Sequence, residues 1–210
     1  MSFLFHEKLS RSGAVMAKLQ AAHVTVCGAG ALGSHIVEGL ARSGVGALRV
    51  IDRDKVEERN LSTQTWGRAD IGQPKARLLA HSVFRAVGLQ VDARVKELTV
   101  DNARALIRGS TVVVDAFDNS VARAAVKVAA AKLGLPCVHA GMAADYSEVV
   151  WEPHYVVPSA TNDDVCDYPL ARNLAILTAA LAAEAVIRFI ATGDTTSRSL
   201  TFGDLRVSTS

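Results

Sequence analysis

The stretch V-T-V-C-G-A-G-A-L-G-S-H-I-V-E-G-L-A-R-S-G-V-G-A-L-R-V-I-D, Val24 to Asp52, decides the fold. An apolar run, Val24–Cys27, enters a G-x-G-x-x-G turn at Gly28, Gly30 and Gly33. A helical stretch follows, and a second apolar run ends in Asp52. Glycines at this spacing permit a tight turn and let backbone N–H groups approach a phosphate at a helix N-terminus. Asp52, 19 residues past Gly33, stands where an acidic side chain grips a ribose hydroxyl. Strand, turn, helix, strand and acid in that order point to an adenine-nucleotide site; the turn alone would not.

Working outward, strand and helix patterns alternate along the chain. Ser12–Ala21 reads as a short helix, Ala31–Ser43 as a helix stopped by Gly44 and Gly46, and Ala47–Ile51 as a strand. Asp54–Gly67 is polar and irregular. Gln73–Val87 has helical periodicity, with Pro74 in its first turn and Gly88 at its end. Val91–Lys96 alternates like a strand, Asp101–Ile107 is a short helix, and Thr111–Asp115 is a wholly apolar strand closed by an acid. Val121–Leu133 is a helix, Pro136–His139 and Glu148–Trp151 are strands, and Leu200–Val207 is a last strand. The pattern predicts an α/β fold: a Rossmann-like, doubly wound, mostly parallel sheet with helices on both faces. It is read as one domain over 1–210, with a nucleotide-binding core at 22–140, a crossover loop at 158–167 and a long helix at 170–190.

Composition narrows the classes. The 210 residues carry 23 basic and 21 acidic side chains, well mixed, for a net charge of +2. A nucleic-acid surface usually shows as a clustered basic face, and none is seen. Cys27, Cys137 and Cys166 form no C-x-x-C pair, which argues against a disulfide framework or a zinc knuckle. The N-terminal M-S-F-L-F-H-E-K has charges where a signal peptide needs an apolar core. Leu174–Ile190 approaches membrane-spanning length, yet Glu184 and Arg188 interrupt it, so a buried helix is expected. The expectation is a cytoplasmic protein without membrane or nucleic-acid partners.

Three segments should meet the glycine turn at the carboxyl ends of the strands: Asp52–Gln64, Gly72–Lys75 and Asp115–Asn119. Carboxylates beside a polyphosphate repel it unless a divalent cation stands between them, which favours a magnesium–triphosphate over a dinucleotide. A lysine opening a helix, Lys75, can neutralise charge on a reacting phosphorus. Asn60 and Gln64 offer amide donors to phosphate oxygens. Taken singly, Lys75 would be a solvated helix residue, Asn60 a turn former, and Asp118–Asn119 an N-cap.

The ordered series G-A-G-A-L-G-S (28–34), I-D-R-D (51–54), N-L-S-T-Q (60–64), D-I-G-Q-P-K (70–75) and V-V-D-A-F-D-N (113–119) resembles the ThiF–MoeB–HesA family of ubiquitin-activating-enzyme-like adenylyltransferases. The resemblance runs from about Ala22 to Gly193. It implies binding of ATP and Mg2+ and adenylation of the C-terminal carboxylate of a ubiquitin-like or sulfur-carrier protein. It implies ribose binding by Asp52 beside Asp54, phosphate contacts from Asn60, Gln64 and Lys75, magnesium on Asp118, and Asn119 next to it at the nucleotide. A homodimer is expected, because the helix at 170–190 is apolar on nearly every face.

The pattern is broken in three places. The family usually has N-L-x-R-Q, and Thr63 stands in place of the arginine, removing a phosphate-neutralising charge. Arg11 and Lys8 are the N-terminal cations available for a contact across a dimer, but the local match is too poor to transfer that role. The paired C-x-x-C zinc motifs of many members are missing, with W-E-P-H-Y (151–155) about where the first would fall. The chain thus reads as a minimal member without zinc. Cys166 is the plausible nucleophile for a thioester step, but Asp163, Asp164 and Asp167 around it should raise a thiol pKa, so no adduct is expected there. Cys27 and Cys137 read as core residues, His139 as a structural hydrogen-bonder, and Trp66 as packing or a wall of the nucleotide site. The alternatives are a catalytically weak partner subunit, a member activating a small-molecule or RNA-borne carboxylate, and, least favoured, an NAD-dependent oxidoreductase.

Overall fold

The computed structural model describes residues 2–159 and 170–209. Eight strands form one sheet: β1 (His23–Cys27), β2 (Ala47–Ile51), β3 (Asp92–Arg94), β4 (Val112–Asp115), β5 (Cys137–Ala143), β6 (Tyr146–Trp151), β7 (Arg198–Thr201) and β8 (Arg206–Thr209). Their order is β3-β2-β1-β4-β5-β6-β7-β8. β1 to β5 are parallel, and β6, β7 and β8 are added antiparallel. The strand order reverses between β2–β1 and β4–β5, so the crevice at the carboxyl ends of β1 and β4 is the topological switch point where such sheets take their ligands.

Helices cover both faces: α1 (Phe5–Ser10), α2 (Gly13–Ala21), α3 (Gly33–Arg42), α4 (Lys75–Val87), α5 (Ala103–Ile107), α6 (Ser120–Leu133) and α7 (Arg172–Thr192). The larger core gathers Val24, Val26, Val50, Val112 and Val114 of the sheet with Ile36, Val37 and Leu40 of α3, Leu79 and Val83 of α4, and the Ala-rich face of α7. The smaller gathers Ile51, Val113 and Cys137 with Ala103, Ile107, Val126 and Ala130 of α5 and α6. Alternate residues of one strand thus serve opposite faces, as the two-residue period of a strand requires. α3 and α7 approach closely because small residues meet there; a Cβ on Gly39 would lie 3.5 Å from that of Ala183.

α7 is long and apolar enough, by length and composition, to cross a membrane, and half of its most apolar window is buried inside the molecule. Leu174, Ala175, Ala179, Ala182 and Val186 are among its buried residues, as a core helix requires. Two readings need correction. Leu200–Val207 is not one strand but a hairpin, β7 and β8, turning at residues 202–205, where Asp204 Oδ1 accepts the Arg206 N–H at 3.1 Å. The irregular 54–67 segment holds a short 3-10 helix, Glu58–Ser62, and α1 was not anticipated.

Candidate functional site

The glycine turn is shaped by backbone contacts. Gly28 has φ +103°, and a Cβ there would lie 2.9 Å from the Ala116 carbonyl oxygen. The segment after β4 therefore lies directly over the turn, which brings Asp115–Asn119 to it. Gly33 opens α3 so close to Gly28 that a Cβ would come within 1.9 Å of the Gly28 carbonyl oxygen. Gly30 differs: a Cβ there meets nothing within 4 Å. Packing requires glycine at 28 and 33, whereas the space beside Gly30 is open for a ligand to approach the backbone.

Asp52 joins the turn to β2. Its Oδ2 accepts the Ala29 N–H at 2.6 Å and its Oδ1 accepts the Asp54 N–H at 2.7 Å. Burial raises its pKa above the ordinary carboxylate value, against the lowering effect of the two N–H bonds and of the nearby Lys75 charge. Each oxygen keeps a lone pair, so the carboxylate can still accept from a ribose hydroxyl.

Lys75 is placed by a small backbone bridge. Lys55 pairs antiparallel with Pro74, and the Lys75 N–H donates to the Asp54 carbonyl at 2.9 Å. Lys75 is buried, and its Nζ lies 3.5 Å from Asp54 Oδ2, whose side chain is largely exposed. Asp52, Asp54 and Lys75 are thus one cluster at the edge of the glycine turn.

Asn60 and Gln64 both have their amide oxygens engaged. Asn60 Oδ1 accepts the Glu57 N–H at 2.9 Å, and Gln64 Oε1 accepts the Trp66 indole N–H at 2.7 Å. What each can offer a ligand is its NH2 donors, which suits phosphate oxygens. Trp66 is buried and orients Gln64. This loop is tied to the turn helix by His35, whose Nε2 lies 3.3 Å from the Thr63 carbonyl oxygen. Asn119 caps α6, its Oδ1 accepting the Ala122 N–H at 2.8 Å, and this fixes the direction in which Asp118–Asn119 leaves β4.

Next to this lies a buried polar network that sequence reasoning saw only through His139. Asp115 and His139 are both 0 % exposed. His139 Nδ1 is 2.8 Å from Asp115 Oδ2, and its Nε2 is 2.9 Å from Glu152 Oε1. Tyr155 stacks on the imidazole with centroids 3.8 Å apart. Arg123 donates to the Tyr155 hydroxyl at 2.8 Å and the Ala140 carbonyl at 3.0 Å, and Lys127 pairs with Glu152 at 3.2 Å and donates to the Tyr155 carbonyl. A further sequence signal, not read above, is the pair of cations Arg123 and Lys127, four residues apart on an Ala- and Val-rich helix. The network fixes the 151–155 turn through ion pairs and hydrogen bonds.

Other expectations resolve as follows. Cys27 and Cys137 are buried, and burial pushes both thiols well up, as core residues. Arg11 pairs within the chain, with Glu7 and with Glu184 of α7, each at 2.7 Å. His81 sits on α4 beside an open depression of about 440 Å³ shared with Trp66, Phe84 and Arg85. Cys166 and its aspartates lie outside the described residues.

Known proteins are similar to this chain in sequence or in fold. The chain is 37% identical over 134 residues to the sulfur carrier protein ThiS adenylyltransferase of Bacillus subtilis, covering 61% of this chain and 40% of that protein. It is 40% identical over 124 residues to the sulfur carrier protein adenylyltransferase of Thermus thermophilus, covering 58% and 45%. The chain therefore spans less than half the length of these relatives. Among solved structures, Escherichia coli MccB with ATP superposes with a TM-score of 0.79 at 19% identity, covering 94% of this chain and 65% of that one, which is a likeness of fold. The ThiF family profile matches residues 6–198, and the chain belongs to the ThiF family.

Proposed function

We propose that this chain is an ATP- and magnesium-dependent adenylyltransferase acting on the C-terminal carboxylate of a ubiquitin-like or sulfur-carrier protein. The observation that carries the reading is the convergence of an open Gly30, an anchored Asp52 and a buried Lys75 at the switch point beside the segment bearing Asp118. Relatives named as sulfur carrier protein adenylyltransferases, and a SAMP-activating enzyme E1 of Haloferax volcanii at 39% identity over 125 residues, support it.

In the reaction, a carboxylate oxygen attacks the α-phosphorus, the bond from that phosphorus to the bridging oxygen breaks, and its electron pair leaves with pyrophosphate. Anion meets anion, so the protein must position the reactants and neutralise charge. Asp52 would hold the ribose, the N–H groups around Gly30 and the amides of Asn60 and Gln64 the phosphates, and Lys75 the charge developing at phosphorus. Among the described residues no three His, Cys, Asp or Glu side chains gather into a metal cluster. Mg2+ on Asp118 fits its habit of taking one or two carboxylates with phosphate oxygens and water, and when bound it would offset triphosphate charge. A homodimer is part of the proposal: Ile176 and Leu177 of α7 are left 37% and 38% exposed. So is residence in the cytoplasm.

The test is ATP–pyrophosphate exchange with purified chain, Mg2+ and a sulfur-carrier protein ending in glycine. Exchange that needs both the metal and the carrier's free carboxylate is expected. Binding of NADH with no binding of ATP overturns the reading.

A further inference from the structure

Thr63 leaves the family pattern without its arginine, yet a guanidinium touches the backbone on either side of Thr63. Arg172, the first residue of α7, donates from Nη1 to the Ser62 carbonyl at 3.3 Å and the Gln64 carbonyl at 3.1 Å. These are the carbonyls on either side of Thr63, which is itself buried. Both are neutral acceptors, so the pairing orients the cation without cancelling its charge. Through the contact between His35 and the Thr63 carbonyl, the same loop abuts the first turn of α3, the helix that the glycine turn opens. The Arg172 charge reaches that turn: burial lowers the His35 pKa, the Thr63 carbonyl opposes this, and Arg172 lowers it further.

Helix stability does not account for Arg172. A cation on the first residue of a helix opposes the macrodipole, and the first turn of α7 carries no acidic residue to offset it. The arginine also spans more than a hundred residues of sequence to reach the Ser62 and Gln64 carbonyls, and it packs against the loop that carries Asn60 and Gln64, the amides expected at phosphate.

We propose that Arg172 supplies, from the base of α7, the positive charge at the triphosphate end of the site that an arginine at position 63 supplies in the family pattern. This rests on the adenylyltransferase reading above. The charge would offset the build-up on the departing pyrophosphate, and a guanidinium suits it because its planar fork serves two acceptors while the charge stays delocalised over the group.

The test uses Arg172→Gln, which keeps amide donors for the loop carbonyls but removes the charge, with Arg172→Lys and the double variant Thr63→Arg/Arg172→Gln. The expected result is about tenfold weaker binding of Mg-ATP by Arg172→Gln, with adenosine affinity and melting temperature unchanged. Arg172→Lys should keep most of the ATP affinity. The double variant should recover it, since the charge returns on the same loop. Equal loss of ATP and adenosine affinity with a lowered melting temperature, unrescued by Thr63→Arg, makes Arg172 a loop brace and overturns the proposal. Wild-type ATP affinity in Arg172→Gln overturns it while the proposed function stands. A wild-type chain that takes no ATP overturns the function and this assignment together.

Discussion

His139 Nδ1 lies 2.8 Å from Asp115 Oδ2, and solvent reaches neither side chain. The other oxygen of Asp115 accepts the Phe117 N–H at 3.1 Å, so one carboxylate ties the imidazole of β5 to the backbone leading to Asp118. Arg123 approaches the same carboxylate at 3.9 Å. Removing one member of a buried ionic network leaves the others uncompensated, at a cost of about 3–5 kcal/mol. At roughly 2–4 °C per kcal/mol for a domain of this size, Asp115→Ala should melt on the order of 10 °C below wild type. Calorimetry checks this, and an unchanged melting temperature would mean that the network adds nothing.

The contrast with Asp52 explains what could be read in advance. The glycine turn, Asp52, Lys75 and Asp118–Asn119 follow local rules: each sits at the end of a strand or the start of a helix, and both are visible as sequence patterns. The partners of His139 come from β4 and the turn after β6, with α6 joined to them through Arg123 and Lys127, and no local pattern states which elements will enclose a buried histidine. The contact of Arg172 with the Ser62 and Gln64 carbonyls was hidden for the same reason, since they lie across a long separation. The β7–β8 hairpin was missed through turn chemistry: Gly203–Asp204 is a turn signal that a continuous strand from Leu200 to Val207 overrides.

Lys75 is buried 3.5 Å from Asp54 and opens α4. Lys75→Ala should lower pyrophosphate exchange by about 10²–10³, the effect of removing one stabiliser of transition-state charge. Nucleotide affinity should fall far less, because the charge matters most as it develops. Titration calorimetry beside the exchange assay separates the two effects. Retention of near wild-type exchange would remove Lys75 from the site.

Acid should weaken the fold through two histidines. Burial lowers the pKa of His35 and of His23 in the folded chain below the ordinary value of 6.5, with the charges of Arg172 and Arg49 adding to it. Below 6.5 the unfolded chain binds protons that the folded chain declines, so stability is full above that pH and is lost as pH falls toward the lowered folded values. The urea midpoint should therefore drop between pH 7 and pH 5, and the variant His23→Gln/His35→Gln should show a flatter limb. Equal slopes in the two proteins would refute the account.

Gly30 and Gly33 separate packing from ligand approach within one turn. At Gly33 an added methyl would meet the Gly28 carbonyl oxygen at 1.9 Å, a clash with backbone rather than with a yielding side chain. Forcing atoms into a packed site costs about 1–3 kcal/mol even where side chains can shift, so Gly33→Ala should exceed that range or fail to fold. At Gly30 the same methyl meets nothing within 4 Å. Gly30→Ala should keep the wild-type melting temperature or gain slightly, because alanine restricts the unfolded chain by up to about 1 kcal/mol. The methyl would nevertheless occupy the space through which a phosphate reaches the turn's N–H groups. ATP affinity should then fall at least about tenfold (1.4 kcal/mol) in a fully folded protein. A Gly30→Ala chain that is folded and binds ATP like wild type would show that the nucleotide does not approach this backbone, and the placement of the phosphates would have to be redrawn.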